Sequence, residues 1–185
     1  MIKTKSDLLE YMAADKIALG RKSNFPSIND YIWRYEILLR KCEYYSNCQY
    51  GLIRKLVGGW YRWRRSKLGA VCGFSIPINT VDKGLCIAHI GPIIISPHAH
   101  LGENCRIHVG VNIGADARAF NAAPQIGNNV YFAPGAKLFG AIKISDNIAI
   151  GANAVVNRSF EQVGISIGGI PAKKISEQGT EGILS

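Results

Sequence analysis

The chain has 185 residues, 48% of them hydrophobic, enough for one compact core with a short accessory region. No apolar run reaches the roughly 18 residues that a membrane-spanning helix requires. Asp7, Glu10 and Asp15 interrupt the first thirty residues, which excludes an ordinary signal peptide and leads us to expect a cytoplasmic chain.

Net charge is +9, and residues 1–70 carry 14 Lys/Arg against 6 Asp/Glu. That region suits an anionic surface or substrate, and no nucleic-acid-binding motif accompanies it. Residues 1–72 read as an α-helical region. Ser6 is placed to cap a first helix, with Asp7 in its first turn. Asn24, Pro26 and Ser27 then break the chain. Ile28, Ile32, Tyr35, Leu39 and Cys42 recur at helical spacing and predict a second amphipathic helix. A third segment, from about Leu52 to Leu68, is apolar and basic and is interrupted by Gly58-Gly59. Its stretch 54–67 has two readings. It packs Trp and Tyr on the rest of the protein with Arg outward, or it makes a peripheral contact with anionic lipid at the inner face of a membrane. The five cysteines, Cys42, Cys48, Cys72, Cys86 and Cys105, contain no CxxC and read as free thiols filling apolar space.

Composition changes near residue 73, and a repeat begins. Ile95, Leu101, Ile107 and Ile113 are spaced by six, and the phase resumes at Ile126, Phe132, Leu138, Ile144, Ile150 and Val156. Four places after these stand smaller apolar residues: Ala99, Cys105, Val111, Ala117, Val130, Ala136, Ile142, Ile148 and Ala154. Neither the helical period of 3.6 nor the strand period of two produces a strict six. A triangular coil with six residues per side does, at about 18 residues per turn and four to five turns. The fold expected is mainly β, a left-handed parallel β-helix over 73–175 behind the helical region, with a tail at 176–185. Corners require unusual backbone angles that Gly and Asn tolerate. Gly102, Gly114, Gly127 and Gly151, each following an inward residue, and the pairs Asn128-Asn129 and Asp146-Asn147 are the candidates. The thirteen residues between Ile113 and Ile126 exceed one repeat, so part of 115–125 leaves the coil as a loop.

All four histidines lie in or just before the repeat. His89 sits six places before Ile95, in phase with the apolar slots, where an imidazole is out of place. It is either a satisfied structural histidine or a general base reaching a cleft. His108 follows inward Ile107 and should face outward, as a surface side chain or along a groove between subunits. His98 and His100 form an HxH without a clear third ligand, so no metal is expected.

The stretch from Ile76 to Lys173 resembles the hexapeptide-repeat acyltransferases, in their serine acetyltransferase-like branch. The landmarks, in order, are Gly84-Leu-Cys-Ile-Ala-His89, Ile107-His108 through Gly114, Ile126-Gly127, Pro134-Gly-Ala-Lys137, Ile150 through Val156 and Gly169-Ile-Pro-Ala-Lys173. The resemblance implies an acetyl-CoA-dependent O-acetyltransferase working as a homotrimer. It implies His89 as the base that takes the acceptor hydroxyl proton. It places acetyl-CoA in a groove between subunits, along Gly114-Ala115, Ala133-Pro134 and Gly151-Ala152, with Lys173 near the nucleotide end. His108 matches a position that is often His without an assigned role.

The departures from that pattern concern the acceptor. Phe74 and Ala88 stand where aspartates support the histidine, and Ala122 and Ala123 stand where Arg and His help to hold serine. A serine zwitterion needs polar partners that these positions lack, which argues for another acceptor. The helical region is shorter than the one that pairs serine acetyltransferase trimers. The end Glu181-Gly-Ile-Leu-Ser185 lacks the terminal isoleucine that docks a sulfhydrylase. Helices like Arg40-Lys-Cys-Glu-Tyr-Tyr45 resemble those of short enzymes that acetylate capsule and O-antigen sugars. The expected acceptor is therefore a sugar hydroxyl, with serine as the alternative. Two readings of other classes stay open. One is a γ-carbonic-anhydrase-like zinc protein, whose histidine spacing is not matched here. The other is a non-catalytic β-helix scaffold.

Overall fold

The computed structural model describes residues 1–48, 51–119 and 121–184. Phe120, inside the mid-repeat loop, and the chain end at Ser185 lie outside the described residues.

Helix α1 (Lys5–Ala18) is capped by Thr4, not by Ser6. Thr4 stands three places before Asp7, so its hydroxyl accepts from the Asp7 N–H while the Asp7 carboxylate accepts from the Thr4 N–H. Ser6 is two residues too late for that reciprocal pair. Helix α2 (Tyr31–Asn47) starts after Asp30, whose carboxylate accepts from the Trp33 N–H, so Ile28 precedes the helix and is 79% exposed. Helix α3 (Leu52–Cys72) runs through Gly58-Gly59 without interruption. A Cβ at Gly58 would lie 3.1 Å from the Tyr45 Cβ, so this glycine lets α2 and α3 approach closely. The reading that buries Trp from this segment is overturned: Trp60 is 48% and Trp63 59% exposed. Tyr61 instead stacks on Tyr45 of α2, with ring centroids 5.3 Å apart.

After α3 the chain winds into a left-handed parallel β-helix. One face is built of β1 (Phe74–Ser75), β3 (Ile93–Ile95), β6 (Asn112–Gly114), β9 (Lys137–Phe139) and β12 (Val155–Val156). The next contains β2 (Cys86–Ile87), β5 (Arg106–Ile107), β8 (Tyr131–Phe132), β11 (Ala149–Ile150) and β13 (Ser166–Gly169). It is closed by antiparallel β14 (Ala172–Ser176). The third contains β4 (His100–Leu101), β7 (Gln125–Ile126) and β10 (Lys143–Ile144), extended by bridges from Leu101 to Val81 and from Ile144 to Phe160.

The hexad prediction holds inside the coil. All ten first-position residues are 3% exposed or less, and register stacks like on like, as in Ile87, Ile107, Phe132, Ile150 and Ile167. Truncating one such residue to Ala removes its packing and leaves a cavity, at about 2–5 kcal/mol. The second set is buried too, except Ala117, which is exposed in the loop. All five cysteines are buried free thiols, and burial raises those of Cys42 and Cys86 to about 11.

The corners agree with expectation at Asn129 and Asn147 and differ at the glycines. Gly102, Gly114, Gly127 and Gly151 do not adopt left-handed angles. Among the left-handed residues are Asn104, Gly110, Asn129, Gly135, Asn147 and Asn153, each three places after an inward residue. Gly102 and Gly127 serve close approach instead: a Cβ at Gly102 would lie 2.8 Å from Gly127 backbone. Asn104, Asn129 and Asn147 then stack as a ladder, each amide donating to the next at 3.2 and 2.9 Å.

The helices close the first turn of the coil through buried charges. Arg40, fully buried, donates to Asp15 at 2.7 Å and to Glu43 at 3.0 Å. It also donates to the Val81 and Asp82 carbonyls, both at 2.7 Å. Asp15 accepts from the Gly84 and Leu85 N–H groups, Glu36 from that of Ile87, and Glu43 from that of Asn79. These side chains satisfy backbone groups that no preceding turn of coil is there to satisfy. Burial, with Asp15 nearby, pushes the Glu36 carboxyl well above the usual carboxylate range.

Candidate active site

The corner between the β2–β5–β8 face and the β3–β6–β9 face carries His89 and His108. Successive turns stack there through backbone hydrogen bonds. Ala88 N–H donates to the Ile107 carbonyl at 3.0 Å, His108 to Phe132 at 3.1 Å, Ala133 to Ile150 at 3.0 Å and Gly151 to Ile167 at 2.8 Å. Ala88, His108, Ala133 and Gly151 thus form one vertical column. Its neighbour is tied by Gly135 N–H to the Val109 carbonyl and by Asn153 N–H to that of Pro134.

His89 does not occupy the inward slot inferred from its distance to Ile95. Ile87 takes that slot, 1% exposed and paired with Ile107. The phase slips because Ile90, Gly91 and Pro92 lengthen this corner, and it resumes at Ile93 and Ile95, both inward. His89 stands exposed at the corner, with its ring centroid 5.6 Å from that of His108. His108 in turn meets the Tyr131 ring edge-on at 5.1 Å. The His108 Nε2 is buried and has no hydrogen-bond partner among the described residues, so an imidazole nitrogen at this corner is free to bond something else. Burial, Arg106 and His89 push the His108 pKa down, which favours the neutral ring.

Beyond the histidines the corner is smooth. The residues stacked on it are Ala133, Pro134, Gly151, Ala152 and Gly168, and Lys173 pairs with Gly168 across β13 and β14. The strip thus runs from two imidazoles to an exposed lysine, over side chains too small to obstruct an extended ligand. Gly135 is required there for two reasons: its φ is +77°, and a Cβ would lie 2.1 Å from the Asn153 amide oxygen. Gly114 and Ala115 are not on this strip. They lie at the far end of β6, one side of the triangle away, where Gly114 pairs with Phe139.

Two of the four positions that depart from the expected acceptor pattern are core. Phe74 is 7% exposed and packs edge-on against Tyr35 at 5.0 Å. Ala123 is 4% exposed, within the coil core. Ala88, on the histidine column, and Ala122, in the loop, are half-buried. His100 is engaged with Asp82 at 3.3 Å, and the His98 carbonyl accepts from the Gln125 amide. Among the described residues, no group of three His, Cys, Asp or Glu side chains converges to hold a metal ion. Tyr131 and Arg106 escaped the sequence reading. The hexad phase does place both on the outer face beside His108, one residue before an inward position.

Comparison with known proteins points one way. No family model matches the chain. A serine acetyltransferase of Staphylococcus aureus is 36% identical over 104 residues, 56% of this chain and 48% of the relative. The chain therefore spans about half the length of the curated relatives it matches. Soybean serine acetyltransferase shares the fold at a TM-score of 0.72 and 20% identity, over 92% of this chain and 70% of that one. A serine acetyltransferase solved in complex with CoA does so at 0.71 and 18%, over 92% and 71%. Sequence and fold both resemble the serine acetyltransferases.

Proposed function

We propose that the protein transfers the acetyl group of acetyl-CoA to a hydroxyl, with His89 as general base. The observation that carries this is the His89–His108 pair at the head of an unobstructed strip of small residues. His89 takes the hydroxyl proton as the acceptor oxygen attacks the thioester carbonyl. The tetrahedral intermediate collapses, its C–S bond breaks, and the CoA thiolate leaves with the proton returned from His89. His108, beside His89 with ring centroids 5.6 Å apart, would orient the base. Ala133-Pro134 and Gly151-Ala152 line the pantetheine arm, and Lys173 sits by the phosphates. The serine acetyltransferase solved with CoA supports this donor.

The strip and Gly114-Ala115 lie at different corners of one chain, which supports a homotrimer whose sites are grooves between subunits. The reading places the protein in the cytoplasm or against the inner face of a membrane.

Two acceptors remain in play, each with its own support. The lack of polar side chains at Phe74, Ala88, Ala122 and Ala123 supports a sugar hydroxyl over a zwitterion. The relatives' names favour serine. CoA release from acetyl-CoA, measured with serine, nucleotide sugars and short glycans, separates them. His89→Ala should lower kcat about 10²–10⁴-fold with the true acceptor. Unchanged turnover in that variant rejects His89 as the base. Absence of turnover with every acceptor, together with no CoA binding by calorimetry, rejects acetyl transfer altogether.

A further inference from the structure

Helix α3 buries Gly58, Gly69 and Cys72 on one side. At 100° per residue the opposite side carries Ile53, Leu56, Trp60, Trp63 and Val71, which are between 48% and 78% exposed. Single exposed apolar side chains are ordinary, but a stripe running about 27 Å along one helix is not. The same helix carries Arg54, Lys55, Arg62, Arg64, Arg65 and Lys67 and no acidic residue. None of the six joins an ion pair among the described residues. Arg65 is spent on the Ile76 carbonyl, and Arg64 lies over the Trp60 ring at 4.8 Å. Arg54, Lys55, Arg62 and Lys67 are exposed along the same helix.

No helix among the described residues is long and apolar enough to cross a membrane. A stripe with tryptophans and unpaired cations is the composition of a helix that lies in an interface. A second copy of this chain fits less well, because a two-fold contact would set these cations against their own counterparts. We propose that α3 docks the protein on an anionic bilayer surface, its apolar stripe in the headgroup–acyl boundary and its Arg and Lys among lipid phosphates. This inference rests on charge and exposure in α3 and is independent of the acetyl-transfer reading.

Sedimentation of the full chain with phosphatidylcholine vesicles, with and without phosphatidylglycerol, tests it. The expected result is binding only to the anionic vesicles, weakened by salt, with tryptophan fluorescence quenched by brominated lipid. Trp33 is buried at 3% exposure, so the quenching reports on Trp60 and Trp63. The double variant Trp60→Ser/Trp63→Ser should lose at least about tenfold in vesicle affinity. Arg62→Gln/Lys67→Gln should lose about 25-fold, at about fivefold per cation. CD spectra and lipid-free CoA release should stay as in the parent, since these side chains are exposed and lie outside the candidate site. Binding equal for neutral and anionic vesicles, or untouched by both variants, overturns the proposal. So does an absence of vesicle binding with an oligomeric state that the tryptophan variant alters, which assigns the stripe to a second copy.

Discussion

Replacing Arg40 by Met keeps most of the side chain's volume and removes its charge. The native guanidinium is fully buried and makes five hydrogen bonds, to Asp15, Glu43 and the carbonyls of Val81 and Asp82. Without it, two carboxylates at 2% exposure lose their counter-charge, and two carbonyls lose their donor. Asp15 keeps the Gly84 and Leu85 N–H groups, and Glu43 keeps that of Asn79, so neither is abandoned completely. Breaking a buried pair from one side costs about 3–5 kcal/mol. For a chain of this size each kcal/mol is about 2–4 °C in Tm, so Arg40→Met should melt about 6–20 °C lower. The assay is thermal unfolding by CD at one fixed protein concentration. A drop under about 2 °C at neutral pH would refute the reasoning, because the cluster would then be dispensable.

Glu36→Gln tests the neutral carboxyl. Its folded pKa is raised, so the stability it contributes is fully present below the unfolded pKa and is lost as pH rises towards the folded one. The variant should therefore gain on the parent by up to about 1.4 kcal/mol per pH unit across that window, as chemical denaturation will show; a gap that does not change with pH contradicts it. Phe74→Asp should cost about 3–5 kcal/mol and confer no serine turnover, since the position faces Tyr35. A stable variant that acetylates serine would reverse the argument about the acceptor. Ala152→Trp places a bulky group on the exposed strip and should raise the KM for acetyl-CoA at least about tenfold at unchanged Tm; an unchanged KM moves the donor elsewhere.

The coil was legible because its inward slots admit only apolar residues, so Ile95 to Val156 announce the period whatever surrounds them. Corner chemistry was less so. Gly102 and Asn104 both look like corner residues, and only the path of the neighbouring turn shows that one makes room while the other takes the left-handed angle. The slot of His89 was misassigned because counting back from Ile95 assumes an unbroken repeat, and the longer corner at Ile90–Pro92 breaks it. The charged cluster was invisible, since Arg40 finds its partners 25 and 41 residues away at Asp15 and Val81. Of the two readings of 54–67, composition alone did not show that Trp60 and Trp63 stay exposed. Gly58 and Gly69, both on the side that approaches neighbours closely, carried that message.

The charged closure of the first turn has a consequence for how the molecule behaves towards its own copies. A parallel β-helix ends in a row of unpaired donors and acceptors, which is a template for another chain. Here carboxylates hold the N–H groups of Asn79, Gly84, Leu85 and Ile87 and a guanidinium holds the Val81 and Asp82 carbonyls, so that end of the coil offers fewer groups to pair with. Stripped of residues 1–72, the coil would expose that edge, and its expected fate is end-to-end growth into filaments rather than a soluble fragment.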